Sequence, residues 1–361
     1  MTATTTLTHK QHRQIDRDYR KAARAANLVY VTDNQEGIRR IRKGKAFTYT
    51  YQGKVVKDRS HLDRIRSLVI PPAWENVWIC HEPAGHIQVT GIDANGRKQY
   101  KYHPGWNELR NQTKFHRLYE FGHALPKIRR RLKKDLEQPG LTEEKVLATV
   151  IQLMEQTYIR IGNNGYEKLY GSYGLTTLKD KHVEVGSEKI SFSFRGKKGI
   201  DHSITIRNKK LARVVKQCRD VPGKELFQYY DADGNKKSID SGKVNSYIKA
   251  AADDDFSAKD FRTWAGTLKA LEFFCQQEME EPVTPTTIKK NIVAALDAVS
   301  EKLGNTRTVC RKYYVHPELI RLYEENQLTH CLSKPPSKGI PSGLAKEEKS
   351  LLHILKLSMV S

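Results

Sequence analysis

An α+β architecture in two parts is what this 361-residue chain asks for, on three observations. The first hundred or so residues alternate apolar and polar positions between turn signals, which is the mark of strands. From Asn107 onward helical periods dominate. And 361 residues exceed what one small core organises, so two domains are expected. We place a mainly β domain at 1–106, a mainly α domain at 107–327, and a linker and tail at 328–361.

The elements follow in chain order. After a short opening helix, Ala46–Tyr51 alternates, Gln52-Gly53 turns and Lys54–Lys57 returns, a hairpin. Gly85–Thr90 and Arg97–Tyr102, joined through Asp93-Ala-Asn-Gly96, read as a second one. Between them Ile70-Pro-Pro-Ala-Trp74 suggests an extended connector, since its prolines exclude a helix interior. Thr142 can cap a helix over Glu143–Tyr158, with two acidic residues in its first turn. A strand-rich insert spans His182–Ile206. Helices follow near Val244–Ala252, Lys259–Gln277 and Thr286–Leu303, the last closed by Gly304. Ser333–Gly339 looks like a linker before a short apolar helix near Leu344–Leu357.

Composition narrows the function. The 31 Tyr, Phe and Trp residues need burial, which excludes a wholly disordered chain. No uncharged apolar run is long enough for a membrane span, and the first twenty residues show no secretory core segment. Five scattered cysteines without a CxxC pair fit reduced thiols in a cytoplasmic setting better than a disulfide framework or a zinc module. The net charge of +22 is concentrated: residues 1–106 carry +10, about twice the density of the remainder. A polyanion with an extended surface, meaning nucleic acid, is the default partner.

Several chemistries lack their motifs. There is no GxxxxGK[ST], no HExxH and no GxSxG, so a nucleotide-driven motor, a zinc hydrolase and a serine hydrolase are poorly supported. His9 and His12 read as a solvated pair, and His81 and His86 as residues flanking a turn; no metal site is expected. What remains is a surplus of cations and tyrosines, which suits phosphodiester chemistry. Such a reaction needs a nucleophile, cations on the non-bridging oxygens and an acid for the leaving oxygen. Spacing alone does not choose these from 63 basic residues.

Seven segments in order do: Ile65–Trp78, Gly85–Pro104, Tyr158-Ile-Arg-Ile-Gly162, Ser172–Leu178, Phe192-Ser-Phe-Arg-Gly-Lys197, Phe261-Arg-Thr-Trp264 and Lys312-Tyr-Tyr-Val-His-Pro317. Through them the chain resembles the type IB DNA topoisomerases, in the compact form of poxviruses and some bacteria. The resemblance implies a two-domain clamp on double-stranded DNA, with a catalytic domain of the tyrosine recombinase/topoisomerase IB type. It implies a monomer that needs no cofactor, no nucleotide, no metal and no membrane. Position by position, the first arginine is Arg160 and the general-acid lysine is Lys197, with Lys198 as its rival at the same turn. The second arginine is Arg262, and the nucleophile is Tyr314 in preference to Tyr313. Nine residues before the nucleophile many relatives carry histidine; here stands Asn305, which donates a hydrogen bond but shuttles no proton near neutrality.

The resemblance also points to Gln99 and Tyr100 as major-groove contacts, with Tyr102 either joining them or packing beneath the sheet. Strand alternation puts Gln99 and Lys101 on one side and the two tyrosines on the other. Trp106, Tyr119, Phe121 and Trp264 match no catalytic position and read as core. Lys127–Lys134 is either a solvated helix face or a DNA-backbone contact. The rival readings are a tyrosine recombinase and a non-enzymatic architectural DNA-binding protein.

Overall fold

The computed structural model describes residues 9–44, 46–277, 284–333, 339–357 and 359. Two compact units divide the chain, Met1–Arg117 and Leu118–Ser361. The first holds α1 (His9–Arg17), α2 (Tyr19–Ala25), β1 (Ile38–Lys43), β2 (Ala46–Tyr51), β3 (Lys54–Val55), α3 (Arg59–Ser67), β4 (Glu75–Ile79), β5 (Ile87–Ile92) and β6 (Lys98–Tyr102). Its strands form one antiparallel sheet in the order β3-β2-β1-β4-β5-β6. Ile38, Val77, Ile79 and Val89 from the sheet pack with Ile65 of α3. A second cluster joins Ile15, Ala22, Ala23 and Leu28 to Trp106 and Leu109.

Those last two residues explain where the units divide. They lie on α4 (Pro104–Leu136), so its first turns belong to the N-terminal core. The strand pattern ends near residue 102, but the packing of that unit continues along the helix.

The second unit continues α4 into α5 (Glu143–Thr157), α6 (Asn164–Tyr170), β7 (Val183–Val185), β8 (Lys189–Arg195), β9 (Asp201–Arg207), α7 (Lys209–Arg219), β10 (Gln228–Tyr230), β11 (Lys236–Ser238) and α8 (Ser241–Ala252). It ends with α9 (Ala258–Gln276), α10 (Pro285–Leu303), α11 (Arg307–Tyr313), α12 (Pro317–Glu324), α13 (Leu328–Ser333) and α14 (Lys346–Leu357). One large apolar core serves all of it. The local signals read from sequence act as expected: Thr142 Oγ1 accepts from the Lys145 N–H at 3.2 Å, and Gly304 closes α10 with φ +57°. Trp106, Phe121 and Trp264 are buried, and Tyr119 is half-buried against the core.

Two readings are corrected. Leu328–Leu357 is no peripheral tail: Leu328, Cys331, Leu344, Leu351, Leu352 and Ile354 lie in the main core. Residues 334–338 of the expected linker lie outside the described residues. The second correction concerns His12, which is buried, stacks on His116 at 3.8 Å between ring centroids and lies 3.2 Å from Thr113 Oγ1. No solvated pair exists at that ring. Among the described residues no helix is long and apolar enough to cross a membrane.

Candidate active site

Four segments, the last two adjacent in sequence and the others far from them, meet around Tyr314. The first is the end of α5, where Tyr158 takes a left-handed conformation (φ 58°) and turns the chain out of the helix. Ile159 is buried by that turn, and Arg160 follows it. The second is α9, which carries Arg262 almost fully buried near its N-terminus. The third is the turn after α10, where Gly304 leads into Asn305. The fourth is α11, whose C-cap is Tyr314 itself; its N–H bonds the Cys310 carbonyl at 2.9 Å.

The hydrogen bonds tie these segments together. Arg160 Nη2 donates to Asn305 Oδ1 at 2.7 Å and to the Gly304 carbonyl at 3.2 Å. Arg262 donates from Nη1 to the Tyr158 carbonyl and from Nη2 to the Leu303 carbonyl at 2.7 Å. Its Nε–H is buried without an acceptor. The Arg262 guanidinium carbon lies 5.4 Å from the centre of the Tyr314 ring.

Behind the tyrosine, packing fixes the backbone. A Cβ on Gly266 would fall 2.7 Å from the Tyr314 carbonyl oxygen, so only glycine lets α9 approach this closely. The buried Thr267 hydroxyl lies 3.1 Å from that same carbonyl and accepts the His316 N–H at 3.1 Å. Sequence reasoning missed both residues, since nothing in a helix-forming stretch marks which glycine meets a distant carbonyl.

Lys197 sits in the β8–β9 turn, where the Gly196 N–H bonds the Ile200 carbonyl at 2.7 Å. Its rival Lys198 occupies the left-handed position of that turn (φ 63°). The side chain of Lys197 is accessible, yet surrounding protein lowers its pKa, with the Arg160 charge next in importance. Burial also lowers the pKa of Arg160 and Arg262, opposed by charge and hydrogen-bond interactions with Tyr314. Both guanidiniums stay charged, but each is held as a costly, incompletely solvated cation. Burial pushes the nearby Cys310 thiol up to about 11, so it is no thiolate at neutral pH. Among the described residues no carboxylate forms an ion pair with Arg160, Lys197 or Arg262. The site sets a buried arginine, a half-buried one and an accessible lysine around a phenol, an arrangement suited to an incoming anion.

The Lys127–Lys134 run is different. Arg129 bridges Glu155 and Glu348, Arg131 pairs with Asp135, and Lys127 lies 3.5 Å from Asp253. Arg129 alone of its six cations is drawn inward, while Lys127, Arg130, Arg131, Lys133 and Lys134 are exposed, as on a solvated helix face.

In the N-terminal unit β6 alternates as expected. Gln99 Nε2 donates to Asp93 Oδ2 at 2.8 Å, and Lys101 Nζ reaches the Leu68 and Val69 carbonyls at 2.5 and 2.9 Å. Tyr100 is 57% exposed, while Tyr102 is half-buried among Trp106, His86 and the rest of its cluster. His86 is buried, with Nδ1 accepting the Val31 N–H at 3.2 Å, and His81 stacks on Tyr51.

A helical core that surrounds a tyrosine with cations lacking counter-charges has the chemistry to receive an anion such as a phosphodiester. Comparison with known proteins identifies the family. A family model described as the catalytic core of eukaryotic DNA topoisomerase I matches residues 103–331, and one for the N-terminal domain of bacterial DNA topoisomerase IB matches 46–93. DNA topoisomerase 1B of Acanthamoeba polyphaga mimivirus is 34% identical over 81% of this chain and 88% of its own length. DNA topoisomerase 1B of Vaccinia virus (strain Copenhagen) is 23% identical over 81% of this chain and 91% of its own. The chain belongs to the type IB DNA topoisomerases, a family of isomerases that relax DNA.

Proposed function

We propose that this protein relaxes supercoiled double-stranded DNA by transient cleavage of one strand through Tyr314, without ATP or a metal ion. The phenolic oxygen attacks the scissile phosphorus as the bond to the 5′-oxygen breaks, leaving a 3′-phosphotyrosyl link and a free 5′-hydroxyl. Lys197, its ammonium acidified by its surroundings, gives a proton to the departing 5′-oxygen. Arg160, Arg262 and the Asn305 amide hold the non-bridging oxygens, on which charge builds in the transition state. The buried Nε–H of Arg262 finds its acceptor only then. The phenolic proton leaves to water. The cut strand rotates about the intact one, and the 5′-hydroxyl reverses the attack, so the energy of the broken bond is retained in the phosphotyrosine.

The observation that carries this reading is the convergence of Arg160, Arg262 and Asn305 on Tyr314 with no carboxylate among the described residues to neutralise the cations. The test is plasmid relaxation in EDTA without ATP, with trapping of a covalent protein–DNA adduct. Full relaxation with an adduct that Tyr314→Phe abolishes is expected. A strict requirement for magnesium or ATP, or an unchanged Tyr314→Phe variant, would overturn the mechanism. Strand exchange between molecules in the same assay would instead identify a recombinase.

A further inference from the structure

One titratable ring at this site has no part in the chemistry above. His202 lies on β9 opposite Phe194 of β8, and the two rings stack with centroids 5.1 Å apart and planes 20° from parallel. Its outer edge enters a slot between two glycines. A Cβ on Gly196 would lie 2.6 Å from both Cδ2 and Nε2, and a Cβ on Gly304 would lie 2.8 Å from Cε1. Neither distance is one a real side chain tolerates. Gly196 immediately precedes Lys197, and Gly304 immediately precedes Asn305, whose side chain holds Arg160. The imidazole thus touches the backbone beneath the lysine and the backbone beneath the phosphate-holding pair.

Among the described residues neither ring nitrogen has a hydrogen-bond partner. Burial, then the charges of Arg160 and Arg262, lower the His202 pKa, with Asp201 opposing. The ring is therefore neutral at pH 7, and its contribution at that pH is shape.

We propose that His202 is a positioning residue: a flat spacer that sets the Lys197 turn against the Asn305 turn so that the ammonium meets the departing 5′-oxygen. The proposal rests on Lys197 being the general acid, and the experiment separates the two. Full-length wild type, His202→Ala, Lys197→Ala and the double variant are compared in single-turnover cleavage of an ordinary phosphodiester. The same set is run on a substrate whose 5′-bridging oxygen is replaced by sulfur, which departs without a proton.

His202→Ala should slow the ordinary substrate by roughly 10–100-fold, the scale of a small misplacement, and the sulfur substrate by less than about threefold. Lys197→Ala should show the same selectivity with a larger loss, and the double variant should be no slower than Lys197→Ala. Gly196→Ala, which drives a methyl group into the ring, should reproduce the selective loss in a second way. Adding His202→Ala to it should relieve the clash but not the loss. Equal slowing of both substrates by His202→Ala, or no slowing at all, overturns the proposal while leaving Lys197 in place. If Lys197→Ala itself slows both substrates equally, the acid assignment falls and this inference falls with it.

Discussion

Two groups of arginines in the second unit differ in what surrounds them. Arg129 meets both carboxylate oxygens of Glu348, at 2.9 and 2.7 Å, and one of Glu155; these contacts raise its pKa despite the burial that opposes them. Arg160 and Arg262 meet backbone carbonyls and one amide oxygen, and their pKa values fall. The first arrangement is complete as it stands. The second leaves cationic donors desolvated and unneutralised, and so holds in the folded protein a cost that a bound phosphodiester can recover. Proteins normally neutralise a buried charge; a cluster left without counter-charges indicates where an anion will come.

The largest expected effect follows directly. Arg262→Ala should cut the cleavage rate by a factor on the order of 10³, as loss of a preorganised donor to a developing charge does. Its melting temperature should move little, because relief of desolvation offsets the two lost carbonyl bonds. Arg129→Ala should do the reverse. It strands Glu348, which is 4% exposed, and should lower stability by about 3 kcal/mol with cleavage per folded molecule unchanged. Thermal melts and single-turnover cleavage on both variants decide the matter. If Arg262→Ala destabilises as much as Arg129→Ala and keeps its activity, the two groups are not different in kind.

A second change sharpens the contrast from the nucleophile's side. Gly266→Ala would put a methyl group 2.7 Å from the Tyr314 carbonyl oxygen and 3.0 Å from its Cβ. If Tyr314 is the nucleophile proposed above, displacing it by a fraction of an ångström should slow cleavage roughly 10²-fold. DNA affinity, which does not depend on that alignment, should be retained in a filter-binding or anisotropy measurement. An unaltered cleavage rate would show that the tyrosine is not positioned by α9.

How much of this was legible beforehand depends on the range of the interaction. Caps, hairpin alternation and helix periods are local, and Thr142, Gly304 and β8–β9 were read correctly from neighbours a few residues away. The proposed catalytic set could not be found that way. Arg160 meets Asn305 across 145 positions, and Arg262 meets Tyr158 across 104. Only family motifs pointed to them. Glu348 was hidden for the same reason: it reads as one of several charges on a short helix, and its partner Arg129 lies 219 positions away. His202 left one usable trace, since it shares a strand face with Ile204 and Ile206, the face that a strand reserves for packing.

The same buried pair gives a pH test of smaller size. Burial pushes the Glu348 pKa up, but the Arg129 hydrogen bonds, the Ala345 N–H and Trp264 outweigh it, and the folded value lies below the ordinary 4.5. The unfolded chain therefore binds the proton more readily. The stability this contributes is fully present above pH 4.5 and is lost as pH falls through the depressed folded value. Glu348→Gln should melt below wild type at pH 7, and the gap should narrow steadily in melts below pH 4.5. A gap independent of pH would mean that the carboxylate's charge contributes nothing.

The smallest expected effect lies in the N-terminal unit, where the contrast between spent and unspent groups recurs on one strand. Arg97 pairs with Asp93, Lys98 with Asp33 at 2.6 Å, and Lys101 is held by two carbonyls. The Gln99 amide is also committed to Asp93. The charged and amide groups of β6 are thus engaged internally, and a DNA contact by Gln99 would require its bond to Asp93 to be exchanged. Tyr100 stands out, more than half exposed, beside the more buried Tyr102 at 5.0 Å between ring centres. Tyr100→Ala should therefore weaken DNA binding about fivefold, the worth of roughly one hydrogen bond or stacked contact, with an unchanged melting temperature. Tyr102→Ala should instead remove packing against Trp106 and lower stability by about 2 kcal/mol, a melting shift of several degrees. Gln99→Ala should fall below Tyr100→Ala in its effect on binding, because its amide must first give up Asp93. If Gln99→Ala proves the more damaging of the two, the Asp93 bond is exchanged on the DNA, and this strand reads bases through the very group that the free protein keeps occupied.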